Sequence, residues 1–254
     1  MRVVLARSFC SQVAIGPFVA RLLVREKGLP RAAAALQLAA GFALQGLTVA
    51  LAIFVLGTLW RLAGVLLLPR LRDLSPPREG APPAWLGGLR TVLRRMWPRP
   101  EFAQATLFMT VNSYVFHLGL ALVVFGLAPH ILFIRKLSGL HWPSLPSNLV
   151  YAVGVITLAS LLAVLARRLT HPVMRLLSHA GDYVSWLVTA LPVATGLLAT
   201  AHLGARYETL LALHLLSIAA FLVWFPFGKL MHAFLFAFSR AATGMRFSHR
   251  GVKV

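Results

Sequence analysis

Two histidines, His214 and His232, stand 18 residues apart inside one apolar stretch, Leu210 to Phe238. A helix turns about 100° per residue, so 18 steps return to nearly the same face about 27 Å along the axis. That rise is close to the ~30 Å hydrocarbon core of a bilayer. One helix would hold two imidazoles on one stripe, one towards each side of a membrane. Ionisable groups inside a membrane are expensive and mark functional sites by default. Two inward imidazoles at two depths suggest two metal centres stacked across the membrane. Two b-type haems, each held by histidines of different helices, satisfy that chemistry.

The remaining donors support the idea. His117 and His130 lie on an earlier apolar stretch. If that stretch runs antiparallel to the last one, depth pairs His117 with His232 and His130 with His214. Gly119 and Gly126 beside these ligands would let a flat macrocycle approach the backbone, and Lys229, Arg168 and Arg240 could meet haem propionates. The geometry is imperfect. Thirteen residues separate His117 from His130, a rise of about 20 Å and a turn of about 140° from the starting face. Pro129 and Pro226 interrupt the two stretches, which loosens both estimates. His202 and His141 are the substitutes for His130. His171, His179 and His249 sit in basic segments and read as solvated or facing a partner. The bland alternative for any one buried histidine is a hydrogen-bonded packing residue, but four at paired depths are harder to explain that way.

The composition dictates what must position these groups. The 254-residue chain is 59% hydrophobic and 12% charged, which reads as a polytopic membrane protein. Lys and Arg total 25 against six acids, yet the excess lies mostly between apolar runs, where topology and lipid headgroups account for it. The aromatic–basic interleaving of a nucleic-acid groove is missing. A single cysteine, Cys10, excludes an intrachain disulfide, an iron–sulfur cluster ligated wholly by this chain, and a C-x-x-C-H haem attachment.

We expect an all-α membrane protein of about five transmembrane helices in one bundle enclosing the two haems. Residues 1–31 form a basic interfacial segment, 32–240 the transmembrane cytochrome domain and 241–254 a basic tail. The spans fall at about 36–60, 102–134, 148–166, 183–201 and 210–238, with 62–74 along the surface and 69–100 a polar loop. On one side, the loops at 69–100 and 167–181 and the tail hold seven, three and four basic residues; the loops at 131–147 and 202–209 hold two and one. The positive-inside rule then puts the C-terminus in the cytoplasm. The six basic residues of the N-terminal segment oppose this count, unless they lie on outer headgroups or that segment makes a sixth span.

The run Phe116-His117-Leu118-Gly119 resembles the F-H-x-G of a haem helix in the gamma subunit of respiratory nitrate reductase. Leu213-His214-Leu215, Phe225-Pro226-Phe227 and Leu230-Met231-His232 resemble that family's last helix, and Phe54 to Arg61 the end of its first. The family's second ligand on the earlier helix comes ten residues after the first, where this chain has Leu127. The resemblance implies a five-helix, two-haem cytochrome b of a prokaryotic cytoplasmic membrane. It implies quinol oxidation towards the outer side, with electrons passed to a cytoplasmic iron–sulfur subunit and on to a catalytic subunit. Gamma-like relatives of this kind also serve sulfite-reductase-linked and heterodisulfide-reductase-like complexes. Arg135, Lys136 or His141 could touch a quinone carbonyl, and the loop at 69–100 would dock the iron–sulfur partner. No site for the terminal substrate is present in the chain. The rival readings are a proton-relay transporter and a haem-free membrane scaffold subunit. A relay should carry membrane carboxylates, and none of the six acids falls at mid-membrane.

Overall fold

The computed structural model describes residues 31–69 and 74–252, and of 31–44 only the helical backbone. The expected interfacial segment over residues 1–30 lies outside the described residues, as do Arg70, Arg72 and Lys253. Among the described residues there are nine α-helices and no strand: α1 Arg31–Leu67, α2 Ala84–Arg94, α3 Pro100–Gly126, α4 Ala128–Ser138, α5 Ser147–Thr170, α6 Pro172–Leu177, α7 Ala180–Ala201, α8 Tyr207–Trp224 and α9 His232–His249. A short 3₁₀ turn, Lys229–Met231, precedes α9. Five helices are long and apolar enough to cross a membrane: the stretch Gln45–Leu67 of α1, and α3, α5, α7 and α8. The protein is an all-helical membrane bundle.

The bundle is an arc. α1 packs on α8, α8 on α7, α7 on α5 and α5 on α3. Small and hydroxyl residues let the backbones approach, as helices in lipid require. A Cβ at Gly119 would lie 2.0 Å from Thr157 Oγ1 on the facing helix. Asn112 donates to the Ser160 carbonyl at 3.1 Å, and the Ser160 hydroxyl donates to Asn112 Oδ1 at 2.9 Å. The Trp186 indole donates to Leu161 O at 2.8 Å, and the Trp224 indole to Ser185 Oγ at 2.9 Å. Leu161, Ala190 and Val193 form the core, with Phe116, Leu120 and Leu197 packed against it. Among the described residues the arc does not close. α3 makes no substantial packing contact with α8 or α1, and of its 27 residues only Gly119 and Gly126 are buried.

Four expectations are corrected. The last apolar stretch is not one helix. α8 stops at Trp224, Pro226 is fully buried against Gly57 of α1, and α9 begins at His232. The same-face estimate for His214 and His232 therefore does not apply. The second span likewise ends at Gly126, where Leu127 turns extended and Pro129 enters the first turn of α4. Proline lacks the N–H that would continue the ladder, and its ring crowds the preceding turn. Residues 241–249 are no free tail. They are the second half of α9, packed antiparallel on α2, a helix inside the expected loop. Gly87 lies against Ser248, Thr91 against Gly244, and Gly88 against Ala241 and Met245. Residues 62–67, finally, continue α1 rather than starting a surface segment.

Candidate metal centres

Both helix breaks carry a histidine, and each break places its ring. At the first, the last turn of α3 is left with carbonyls that have no helical donor. Donors beyond the break satisfy three of them. Val123 O accepts from His130 Nδ1 at 2.9 Å, Phe125 O from the Trp142 indole at 2.6 Å, and Gly126 O from the Leu145 amide at 2.9 Å. His130 thus caps the preceding helix, which fixes its ring. At the second break, Gly57 leaves room for Pro226, the chain turns through Lys229–Met231, and the Lys229 carbonyl accepts from His232 Nδ1 at 2.8 Å. Met231, 2% exposed, anchors that turn.

Across the open side of the arc the rings meet in two pairs. His117 faces His232 with ring centroids 5.9 Å apart and planes at 86°. His130 faces His214 at 6.1 Å and 17°. A metal bound to two imidazoles at about 2.0 Å each, with each ring centre about 1.1 Å beyond its nitrogen, holds the centres about 6 Å apart. Every ring is oriented through Nδ1. His117 Nδ1 lies 2.7 Å from Ser113 O and 3.2 Å from Ser113 Oγ, and His214 Nδ1 lies 3.2 Å from Thr195 Oγ1. A carbonyl only accepts, so in His117, His130 and His232 the proton sits on Nδ1. The lone pair is then on Nε2, the tautomer that ligates a metal.

The donor set has its own logic. Among the described residues no three His, Cys, Asp or Glu side chains converge. Two imidazoles alone leave most metal ions short of ligands. Two facing imidazoles fit a metal whose remaining ligands come from another group, as in a haem.

The other expected residues divide. Lys229 and Arg168 converge on one carboxylate, Asp182, with Nζ at 2.6 Å and Nη1 at 3.6 Å. Arg168 also donates to Ser178 Oγ at 2.9 Å. Arg240 lies apart, over the Phe236 ring and 3.4 Å from Met96 Sδ. Gly119 and Gly126 face Thr157 and Leu145, so each admits a protein neighbour rather than a free plate. Arg135 and Lys136 are exposed near the end of α4, and His141 is exposed in the loop after it. His202 caps α7 and stacks on Tyr207 at 5.2 Å, away from both pairs. His171 and His179 flank α6 as helix caps, and His249 lies 2.9 Å from Ser75 O.

Gly196, Thr195 and Asp182 belong to the site without having been marked by residue type or spacing. A Cβ at Gly196 would lie 3.0 Å from His214 Cε1, so the ring rests on bare backbone of α7. Thr195 holds that ring and also lies 3.0 Å from Ser217 Oγ. The run Ala194-Thr195-Gly196 is a visible small-residue signal, but nothing in one sequence says which helix it faces.

Fold and site define a helical membrane protein that presents two facing histidine pairs at separate positions along its spans. No protein-family model matches the chain, and no solved structure matches it. A protein of Nitratidesulfovibrio vulgaris (strain Hildenborough) is 31% identical over 195 residues, 77% of this chain and 82% of that protein. The chain belongs to the same family as that protein, whose description gives no activity.

Proposed function

We propose that the chain is the membrane-anchoring dihaem cytochrome b subunit of a respiratory oxidoreductase complex. It exchanges electrons between the quinone pool and an iron–sulfur subunit on the cytoplasmic side, and a separate catalytic subunit handles the terminal substrate. The observation that carries this reading is the pair of imidazole–imidazole separations, 5.9 and 6.1 Å, across helices that do not otherwise pack. His117 and His232 would hold one haem b, and His130 and His214 the other. Bound there, the iron supplies reversible one-electron transfer.

The chain's own residues do the rest. Ser113, Val123, Thr195 and Lys229 orient the imidazoles. Lys229 and Arg168 together outweigh Asp182 by one positive charge beside the His232 turn, which suits the carboxylates of a haem edge. Arg135, Lys136 and His141 offer polar contacts to a quinone carbonyl next to α4. Arg240 and Arg246 of α9 offer the iron–sulfur partner a basic surface. The basic loops favour placing that side, and with it the C-terminus, in the cytoplasm.

In the described spans the carboxylates are Glu101, Asp182 and Glu208, all in first helical turns. A proton relay lacks intermediate stations, which favours the cytochrome reading. The test is optical. Purified protein should show a b-type band in a reduced-minus-oxidised spectrum and two haems per chain in a pyridine haemochrome assay. Colourless protein overturns the proposal in favour of the relay or scaffold.

A further inference from the structure

The haem reading does not use a cleft of about 340 Å³ where α2 turns into α3, lined by Arg94, Arg95, Trp97, Pro98, Arg99, Pro100 and Glu101. We propose that this cleft holds the phosphate of a membrane lipid with a net negative headgroup. Neither the success nor the failure of the haem assignment bears on it.

Charge comes first. The side chains of Arg94, Arg95 and Arg99 make no ion pair or hydrogen bond among the described residues, and Glu101 pairs with none of them. Three guanidinium groups therefore face one carboxylate, and planar N–H forks match phosphate oxygens. Shape comes second. The α2–α9 pair, locked by Gly87, Gly88 and Gly244, fixes where α2 ends. The Arg95, Met96 and Trp97 amides bond back to Thr91, Leu93 and Arg94, so the turn bearing the arginines is itself ordered. Trp97 leans on Tyr114, with centroids 6.0 Å apart, and the Tyr114 hydroxyl donates to Met96 O.

The surroundings choose the source of the phosphate. Leu93, Met96, Trp97 and Phe102 are exposed, at 64%, 45%, 59% and 60%. Trp97 lines the basic cleft, and Leu93, Met96 and Phe102 adjoin its lining residues in the chain, at the point where the apolar run of α3 begins. Aromatic and basic residues in that combination lie at a membrane's headgroup level, where acyl chains cover the apolar rim and phosphates meet the arginines. Soluble phosphate would leave the rim in water. An acidic protein would meet the charges but not the apolar rim.

The experiment uses the full-length chain, delipidated in neutral detergent and examined by native mass spectrometry. Dioleoyl-phosphatidylglycerol, dioleoyl-phosphatidylcholine and inorganic phosphate are added separately. We expect one retained phosphatidylglycerol, weaker phosphatidylcholine and no retained phosphate. In the triple variant Arg94→Gln, Arg95→Gln, Arg99→Gln the retained lipid should weaken by roughly fivefold per arginine, on the order of a hundredfold in all. Glu101→Gln, which leaves the arginines in place, should tighten it and keeps the test open if the triple variant fails to fold. Equal retention of both lipids, binding of phosphate alone, or a Glu101→Gln chain no tighter than the parent overturns the proposal. So does a triple variant that keeps the lipid and loses only capture by an acidic protein.

Discussion

At the scale of single residues, the two imidazole pairs are chemically alike but geometrically distinct. Planes crossed at 86° in the His117–His232 pair and near-parallel at 17° in the His130–His214 pair would place different demands on the low-spin ferric iron of the proposed haems. Electron paramagnetic resonance of the oxidised protein should therefore give two signals, one strongly axial and one rhombic. His232→Ala should remove the axial signal and half the haem, and His214→Ala the rhombic signal and the other half; a single substitution that abolishes both haems would break the assignment. Gly196 offers a subtler test. Its replacement by Val pushes methyl groups into the His214 ring, which a Cβ alone would already approach to 3.0 Å. Gly196→Val should cost the haem of that pair, read by haemochrome content, and leave the axial signal in place.

At the scale of elements, breaks and caps position the donors. Asp182 ties three segments together. Its Oδ2 accepts the His179 amide at 3.0 Å at the start of α7, and its Oδ1 meets Lys229 at 2.6 Å, in the turn that presents His232. Lys229 is 62% exposed, so the ion pair contributes less than about 1 kcal/mol. Loss of the cap adds about 1 kcal/mol. Asp182→Ala should lower stability by about 1–2 kcal/mol in a detergent thermal melt and shift the axial signal more than the rhombic one. Trp142→Phe removes the donor to Phe125 O. A carbonyl left without a partner costs about 1–3 kcal/mol, and the ring of His130, just past the break, should lose order with it. The expected readout is partial loss of the rhombic signal.

At the scale of the molecule, the five spans form an arc with one side that no other described residue covers. Among the described spans α5 and α7 carry the most buried residues, whereas only Gly119 and Gly126 of α3 are buried. A bundle built around a cofactor should loosen without it. Apoprotein made under haem limitation should digest more readily than holoprotein, with the first cuts in the segment before α2 and in the loop at 139–146. Equal digestion of the two forms would argue that the gap is not a cofactor space. A reporter fused after Val254 should be active only where cytoplasmic folding allows it.

The number of spans and the partnering of His117 with His232 and of His130 with His214 were legible in residue order. Apolar run length is a one-dimensional quantity that residue order carries directly, whereas the single-helix spacing of His214 and His232 fell with the break after Trp224. The helix ends were not legible, because proline announces a break without saying who satisfies the freed carbonyls. Pro129 and Pro226 were visible, but Trp142, Leu145 and Gly57 answer them from other segments. The partners of Lys229 and Arg168 were hidden for the same reason, since Asp182 reaches them only when α7 folds against the α8–α9 turn. α2 and its antiparallel seat on α9 could not be read from a stretch rich in proline and arginine, because the contact is made by Gly87, Gly88 and Thr91 against Ala241, Gly244 and Ser248 rather than by an apolar stripe. Residue order alone determined the number of spans and marked the four histidines that meet in pairs. The packing decided which way each ring turned, because orientation depends on hydrogen bonds and close backbone approaches between segments far apart in the chain.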